Sequence, residues 1–429
     1  MKVIDIAMAA NYLYQDIDSP NYIQYKKEQI NNKRDSFVMR FIIYIYNLLK
    51  GLGQIKYLKQ DLSEGKKIYF YETSNQYRAL KPLIDKDDDM LTVSLHSYQE
   101  ADVGFCEVLP LLFGLLYFPH FCFHFYIKKN IAPEYQLLLD KYLISVGYYK
   151  YYVWLFTKHN IKSIIVSNDH TERVRAVILA ANFVKLPVTY VQHATVSAYF
   201  PPLNLFSLSC LDGQSSLDTY QKIGLVTSKA LITGAIRNFT LEKHRKRNKG
   251  KDLVVGIAVN NFVEMGKLKQ VIAEVRQYKQ DIIFKIRLHP AQMKDKKLYN
   301  QHFDKEGIVV KGAWQESLDD FFNDIDVLFS GASSIHLDAL NVGVLPVIID
   351  IDNSVFDYYG YLAHGCVLDL AGFLRLQPEN IDLTLNTLIQ KGKYFDNAID
   401  LDHSAKNQCI MNVIDEINNL HQPIVLQKS

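Results

Sequence analysis

Along most of the chain, short apolar runs alternate with segments whose apolar residues recur at helical spacing. From Lys67 the runs KIYFYE and MLTVSL read as strands on either side of a helical NQYRALKPLI. SIIVSN, TERVRAVILAANFV, PVTYVQH, LFSLSCL, SSLDTYQKIG and ALITGA follow, in the order strand, helix, strand, strand, helix, strand. A second series begins at Asp252. DLVVGIAV, KLKQVIAEVRQY, DIIFKIRL, KDKKLYNQHF, GIVVKG, ESLDDFFND, DVLFSG, SSIHLDALNVG and VLPVIID alternate strictly between strand and helix. Apolar strands joined by amphipathic helices predict βα units and a parallel sheet, here twice over. The expected fold class is α/β, with two Rossmann-like domains facing a cleft. Residues 1–241 form the first domain, 242–252 a basic linker (EKHRKRNKGKD, which lacks an apolar face), and 253–429 the second domain.

Two stretches depart from the alternation. Val108–Ile127 runs for 20 residues with no Asp, Glu, Lys or Arg, inside an apolar helical insert of about residues 100–160. Its length would cross a bilayer, but Pro110, Pro119, His120 and His124 interrupt it. A buried or groove-lining helical pair is the reading the interruptions favour, with a membrane-surface element and a true span as the alternatives. Upstream, FVMRFIIYIYNLLKGLGQIKYLK mixes aliphatic and aromatic residues with Arg40, Lys50, Lys56 and Lys59. A core helix with a basic end is the plainer reading, with docking on an anionic lipid surface as the alternative.

Composition narrows the function classes. The 429 residues carry 48 Lys plus Arg against 46 Asp plus Glu, a net charge of +2. That balance argues against a nucleic-acid partner. The five cysteines, at 106, 122, 210, 366 and 409, contain no C-x-x-C pair and suggest neither a zinc site nor a disulfide framework. Charges break up the apolar patch of the first residues, so no signal peptide is read there and a cytoplasmic setting is expected. The acidic run DKDDDM at Asp85 precedes a strand and reads as a solvated turn, and no metal is called for.

Ligands of open α/β sheets bind beyond the carboxyl ends of the strands. The unusual residues of this chain stand there. In IRLHPAQ, Pro290 biases His289 to extended angles, which fixes an imidazole at a strand end, and Arg287 lies two positions back. Such an imidazole can donate to a phosphate oxygen or protonate a leaving phosphate. In FSGASSIHLDALNVG, a strand ends near Gly331, and Ser333 and Ser334 open a helix whose free N–H groups and dipole favour an anion. Simple N-capping explains one of these serines as well. In the first domain, PVTYVQH ends on His193 and SCLDG on Asp212, two candidates for a base or nucleophile; a loop histidine and an Asp-Gly turn are the plainer readings. SND, Ser167–Asp169, ends a further strand and reads as a helix cap with a contact to acceptor as the alternative.

YVQHATVSAYFPP, LITGAIRN, IRLHP and SGASSIHLDALNVGVLPVII, spread over about residues 161–350, resemble in order the motifs of bacterial GT-B transferases that build capsule, teichoic-acid or lipopolysaccharide glycans. The His-Pro and Ser-Ser pair is similar to that of enzymes with cytidine-activated donors: CMP-Kdo and CMP-sialic acid transferases and CDP-glycerol glycerophosphotransferases. The resemblance implies that His289, Ser333 and Ser334, with Arg287, Pro290 and Gly331 around them, hold the donor phosphate. It implies that Asp212 or His193 serves as base or nucleophile. Ala194 follows His193 where the polyol-phosphate group has glycine, and Leu211 precedes Asp212 where sialyltransferases have a second acid. The implied protein is a metal-independent glycosyltransferase that needs no cofactor. It would move a Kdo-like or sialic-acid-like sugar from a CMP donor to a glycan or glycolipid acceptor, with peripheral contact at the inner face of the cytoplasmic membrane. Polyol-phosphate transfer from a CDP-alcohol, a non-catalytic membrane-surface scaffold and a nucleotide-sugar epimerase are the rivals.

Overall fold

The computed structural model describes residues 2–10, 20–57, 65–95, 101–103, 106–129, 137–196, 200–236, 252–260, 262–279, 282–352 and 355–420. Residues 242–251 of the expected linker lie outside them. By contacts the chain divides into two units. The first comprises Met1–Leu211, Ser216–Ile236 and Asn407–Ser429, and the second Asp212–Ser215 and Arg237–Lys406. The last segment therefore groups with the first unit.

The first unit opens with three helices, α1 (Val3–Ala10), α2 (Pro20–Asn31) and α3 (Phe37–Gly51). Then come β1 (Lys67–Tyr71), α4 (Ser74–Ile84), β2 (Met90–Ser94), α5 (Val108–Leu115) and α6 (Phe118–Cys122), which runs on as a π-turn through Phe123–Ile127. The series continues with α7 (Leu139–Lys158), β3 (Ser163–Val166), α8 (Glu172–Phe183), β4 (Val188–Val191), β5 (Leu208–Leu211), α9 (Gln214–Ile223) and β6 (Lys229–Ile232). The six strands are all parallel, in the order β2-β1-β3-β4-β5-β6. Strand alternation fills two cores. Ile68 and Phe70 of β1 face a layer that includes α1, α7 and α8, and Tyr69 and Tyr71 face α4. Thr73 and Thr171 accept from the N–H groups of Gln76 and Val174, which starts α4 and α8.

The second unit holds β7 (Leu253–Ala258), α10 (Met265–Tyr278), β8 (Ile282–Leu288), a 3₁₀ turn at Pro290–Asp295, α11 (Lys296–Phe303), β9 (Val309–Gly312) and α12 (Leu318–Asn323). After them come β10 (Val327–Ser330), α13 (Ile335–Val342), β11 (Leu345–Ile348), α14 (Tyr361–His364), β12 (Leu368–Asp369), α15 (Leu370–Arg375) and α16 (Ile381–Gly392). Its sheet is also six-stranded and parallel, ordered β12-β11-β10-β7-β8-β9. Helix α17 (His403–Asn419) then buries Ile410, Val413, Ile414 and Ile417, a stripe at i, i+3, i+4 and i+7, in the α4 side of the first unit's core. Lys67 donates to Asn418 across that contact at 3.0 Å.

The reading of Asp85–Asp89 as a solvated turn is corrected at one residue. Asp87 is buried, 2.6 Å from the ammonium of buried Lys67, and it accepts from the Tyr69 hydroxyl at 2.8 Å. A charge at the first position of a central strand needs such a counter-ion.

Candidate functional site

The second sheet changes direction between β7 and β10: β8 and β9 extend it on one side, β10 to β12 on the other. Four loops leave the carboxyl ends of strands around this switch point, where ligands of open sheets bind. Ser330 is in register with Ala258, and Ala258 with Arg287, so the ends of β10, β7 and β8 are level. His289 and the Ser333–Ser334 pair thus follow strands separated by one other, roughly 10 Å at sheet spacing.

His289 has φ −63° and ψ 149°, the extended geometry expected before Pro290. Its ring is tethered. The Ala291 N–H donates to Nδ1 at 3.2 Å, and the His289 N–H donates to the Gln292 side-chain oxygen at 3.1 Å. With Nδ1 an acceptor, the neutral ring carries its proton on Nε2, on the side away from the cap. His289 is exposed, and this tautomer can donate to an oxygen ligand.

Ser334 stands at the N-cap of α13, half-buried, and its hydroxyl makes no capping bond. The Ile335 N–H reaches Ser333 Oγ at 3.4 Å instead. The loop is held from beneath by His336, which is wholly buried and bonds the Gly331 carbonyl through Nε2 at 2.9 Å. Burial drives the His336 pKa down to about 4, so its ring is neutral near pH 7. A Cβ on Gly331 would fall on the carboxylate of buried Asp352, which accepts from Asn260 at 3.1 Å. Glycine is required there by close approach.

Arg287, expected beside the donor phosphate, is engaged by the protein's own groups. Its guanidinium is nearly buried, donates to the Glu316 and Ser317 carbonyls at 2.9 and 3.2 Å, and lies over the Phe321 ring at 5.6 Å. Asp338, one turn into α13, is buried. Beside the end of β11, Lys267, Asp350, Phe356 and Asp369 line a separate hollow of about 390 Å³.

The first sheet has its own switch point, between β1 and β3, and it is rich in charge. Glu72 follows β1 and Ser167–His170 follow β3. One Glu72 carboxylate oxygen accepts from Thr171 at 2.7 Å and from Asn168 at 3.3 Å. Burial raises the pKa of Glu72 against the pull of Arg173. Arg173 donates to the Tyr148 hydroxyl at 3.2 Å, and that hydroxyl to Glu107 at 3.3 Å. Burial pushes the Glu172 carboxyl up, but Lys141, 2.6 Å away, and Arg173 outweigh it and hold the pKa near 2.

Asp169 has no exposed surface, and neither carboxylate oxygen has a hydrogen-bond partner among the described residues. The His170 ring lies 3.6 Å away through Nδ1. That ring stacks on His193 at 5.9 Å between centroids. Sequence reasoning gave the Ser167–Asp169 stretch a capping role, with a contact to acceptor as the alternative. The cap is Thr171, and the aspartate is a buried acid beside an imidazole pair. Its signal was two acid-base residues in a row at a strand end.

His193, after β4, belongs to this cluster. Asp212, after β5, is buried and groups by contacts with the second unit. Its carbonyl accepts from Asn397 at 2.8 Å, and Ser215 N–H donates to the Tyr394 carbonyl at 2.9 Å. The expected base candidates thus sit in different surroundings, one among histidines and one in a backbone-pinned turn.

No family model and no curated protein matches the sequence. Solved structures do match. A Listeria monocytogenes protein assigned as a UDP-N-acetylglucosamine 2-epimerase superposes with a TM-score of 0.50 at 14% identity, over 83% of this chain and 96% of that one. A second UDP-N-acetylglucosamine 2-epimerase gives 0.50 at 13% identity, over 84% and 99%. The chain has the GT-B fold. MurG of Acinetobacter baumannii matches at a TM-score of 0.45 and 10% identity, over 82% and 99%, too low to add to that assignment. A GT-B chain carries two Rossmann-like units, as the two parallel six-stranded sheets here do. At such identities the likeness extends to the fold and stops there.

Proposed function

We propose that this GT-B protein is a glycosyltransferase that takes its sugar from a nucleotide-activated donor bound at the switch point of the second unit. The observation that carries the reading is the pairing of an uncapped Ser334 at the start of α13 with an imidazole whose Nε2 is free of the cap, with one strand between theirs. In this reading Ser333, Ser334 and the first-turn N–H groups of α13 take the donor phosphate, and Gly331 lets the backbone approach it. His289 Nε2–H donates to the phosphate oxygen that gains charge as the glycosidic bond breaks. An acceptor hydroxyl, of a glycan or glycolipid, loses its proton to a base as its oxygen bonds to the anomeric carbon. The nucleotide leaves with the electron pair of the broken bond. His193, beside His170 and Asp169, suits the base better than Asp212, because Asp169 can stabilise the imidazolium pair. No step requires a metal or cofactor. The setting proposed is cytoplasmic.

The motif resemblance favours a CMP-linked donor, or a CDP-alcohol for polyol-phosphate transfer. The proteins that share the fold are named for UDP-N-acetylglucosamine, which favours a uridine donor. Their names also support a second reading, epimerisation of a nucleotide sugar. Thermal shift with UDP, CMP and CDP, followed by incubation with UDP-N-acetylglucosamine, CMP-Kdo, CMP-sialic acid and CDP-glycerol, separates these. A transferase releases free nucleotide; an epimerase returns the sugar still joined to UDP. His289→Asn keeps a capping side chain but not the reach of Nε2, so it should fold normally and turn over about 100-fold more slowly. Full turnover in that variant, or no stabilisation by any nucleotide, overturns the reading.

A further inference from the structure

Helix α3 is apolar on two sides. Its inner face carries Phe41, Tyr44 and Leu48 into the core of the first unit. Its outer face carries Val38, Ile42, Tyr46 and Leu49, each more than half exposed, at spacings that keep them on one stripe. A helix apolar all round in a soluble unit has a partner on each side. The α5–α6 pair continues the surface. Phe37 at the start of α3 meets Phe118, Phe121 and Tyr126 at 5.6–6.1 Å between ring centroids. Beyond these contacts Leu116 is 75% exposed and Ile127 71%.

By length and composition the pair could make a bent span, but its packing argues for a surface position. It is bent by 42° at its break, and no single described helix is long and apolar enough to span. Its inner side is fixed to the unit. A Cβ on Gly147 of α7 would strike the Pro110 carbonyl and the backbone of Gly114, so α5 lies flush on α7, and Tyr44 donates to the Leu111 carbonyl at 2.5 Å. What remains outward is an apolar sheet of side chains on helices lying along the surface.

Exposed Asp35 stands just before α3 and buried Glu107 just before α5, and the segments themselves carry one sign of charge. Residues 36–54 and 108–130 contain no Asp or Glu. Their only free cations are at the ends: Lys50 closes α3, and exposed Lys128 and Lys129 follow the π-turn. The remaining cation, Arg40, is buried against Asp140. Lys128 lies over the Phe123 ring at 5.8 Å, and on α7 Lys158 lies over exposed Trp154 at 5.4 Å. Aromatic side chains next to lysine ammonium groups at the edge of an apolar face match the boundary between acyl chains and headgroups.

We propose that the outer faces of α3 and of the α5–α6 pair form one docking surface for an anionic lipid bilayer. The apolar stripe enters the headgroup–acyl boundary, and Lys50, Lys128 and Lys129 meet the anionic headgroups. The proposal is independent of the donor assignment, since vesicle binding can persist in a chain that binds no nucleotide.

The test is co-sedimentation of the full chain with vesicles of phosphatidylcholine alone and of phosphatidylcholine with phosphatidylglycerol, at low and at high salt. Wild type should pellet with the anionic vesicles and lose part of that binding in high salt. Ile42→Glu/Leu116→Glu changes two exposed side chains and should lower partitioning at least about tenfold on both vesicle types. Lys128→Gln/Lys129→Gln should lower it about 30-fold on anionic vesicles and leave the neutral ones unchanged. An unaltered thermal melt shows that each variant is folded, and the lysine pair keeps the test valid if the glutamate variant is not. Wild type remaining in the supernatant with both vesicles overturns the proposal. So do variants that pellet like wild type, and so does a wild-type dimer made monomeric by Ile42→Glu/Leu116→Glu without vesicle binding, which would give the surface to a second copy.

Discussion

Lowering the pH from 7.5 to 5 should weaken the second unit through one residue, His336. Its ring is wholly buried under the Gly331–Ser334 loop and nearly perpendicular to Tyr361 at 6.3 Å. Nε2 serves the Gly331 carbonyl, while Nδ1 is buried with no hydrogen-bond partner among the described residues. Burial outweighs the help that the Gly331 and Ser330 backbone and the Asp357 charge give the protonated ring, and takes the pKa from 6.5 to about 4. The sign follows from linkage. Between these two values the unfolded chain holds a proton that the folded chain does not, so stability is complete above about 6.5 and declines as pH falls toward 4. At about 1.4 kcal/mol per pH unit, the decline is roughly 2 kcal/mol by pH 5 and roughly 3 by pH 4. Glu172 does not share the window. Its folded pKa of about 2 lies below the ordinary 4.5, so its contribution is present above 4.5 and is lost only as pH falls toward 2. The chain has two tryptophans. Replacing Trp154 of the first unit by Phe leaves Trp314, packed in the second unit's core, as the emission reporter. Urea melts at pH 7.5, 6 and 5 should show the decline, and His336→Gln, which does not titrate, should lack about 2 kcal/mol of it. The same pH dependence in both proteins refutes the reasoning.

Three further outcomes follow from the same contacts. Gly331→Ala should displace Asp352, cost about 1–3 kcal/mol and remove nucleotide stabilisation while far-UV circular dichroism is unchanged. Arg40→Met should destabilise the first unit by about 3–5 kcal/mol in urea melts read by Trp154, because it leaves Asp140 buried without its partner at 2.5 Å; adding Asp140→Leu should recover most of the loss. Asp169→Asn should leave donor binding intact and slow transfer by about 100-fold, measured as nucleotide released in the presence of acceptor.

The alternation of strand and helix was legible because each βα unit is local: run length, period and cap lie within about thirty residues. Strand-end chemistry was legible for the same reason at His289, where Pro290 sets the geometry, and at Ser333–Ser334, where the helix begins. What sequence could not give is adjacency. β2 is inserted on the far side of β1, so Glu72 and Asn168 become neighbours across 96 positions with no local mark of it. Arg287 looked available until Glu316, 29 residues on, supplied its carbonyl. Lys67 made Asp87 a buried ion rather than a surface one. The stripe in α17 announces a helix but not which sheet it covers, and that choice assigns the last segment to the first unit. Even the two-sided apolar character of α3 needed the fold to show which side remained outside.

The most direct test of the donor site is a crystal structure with UDP or CMP bound. The account predicts the phosphate at the start of α13, within hydrogen-bond distance of the Ser334 hydroxyl or a first-turn N–H and of His289 Nε2. A nucleotide whose phosphate lies instead beside Lys267 in the hollow between α10 and α15, or away from both serines, would contradict it.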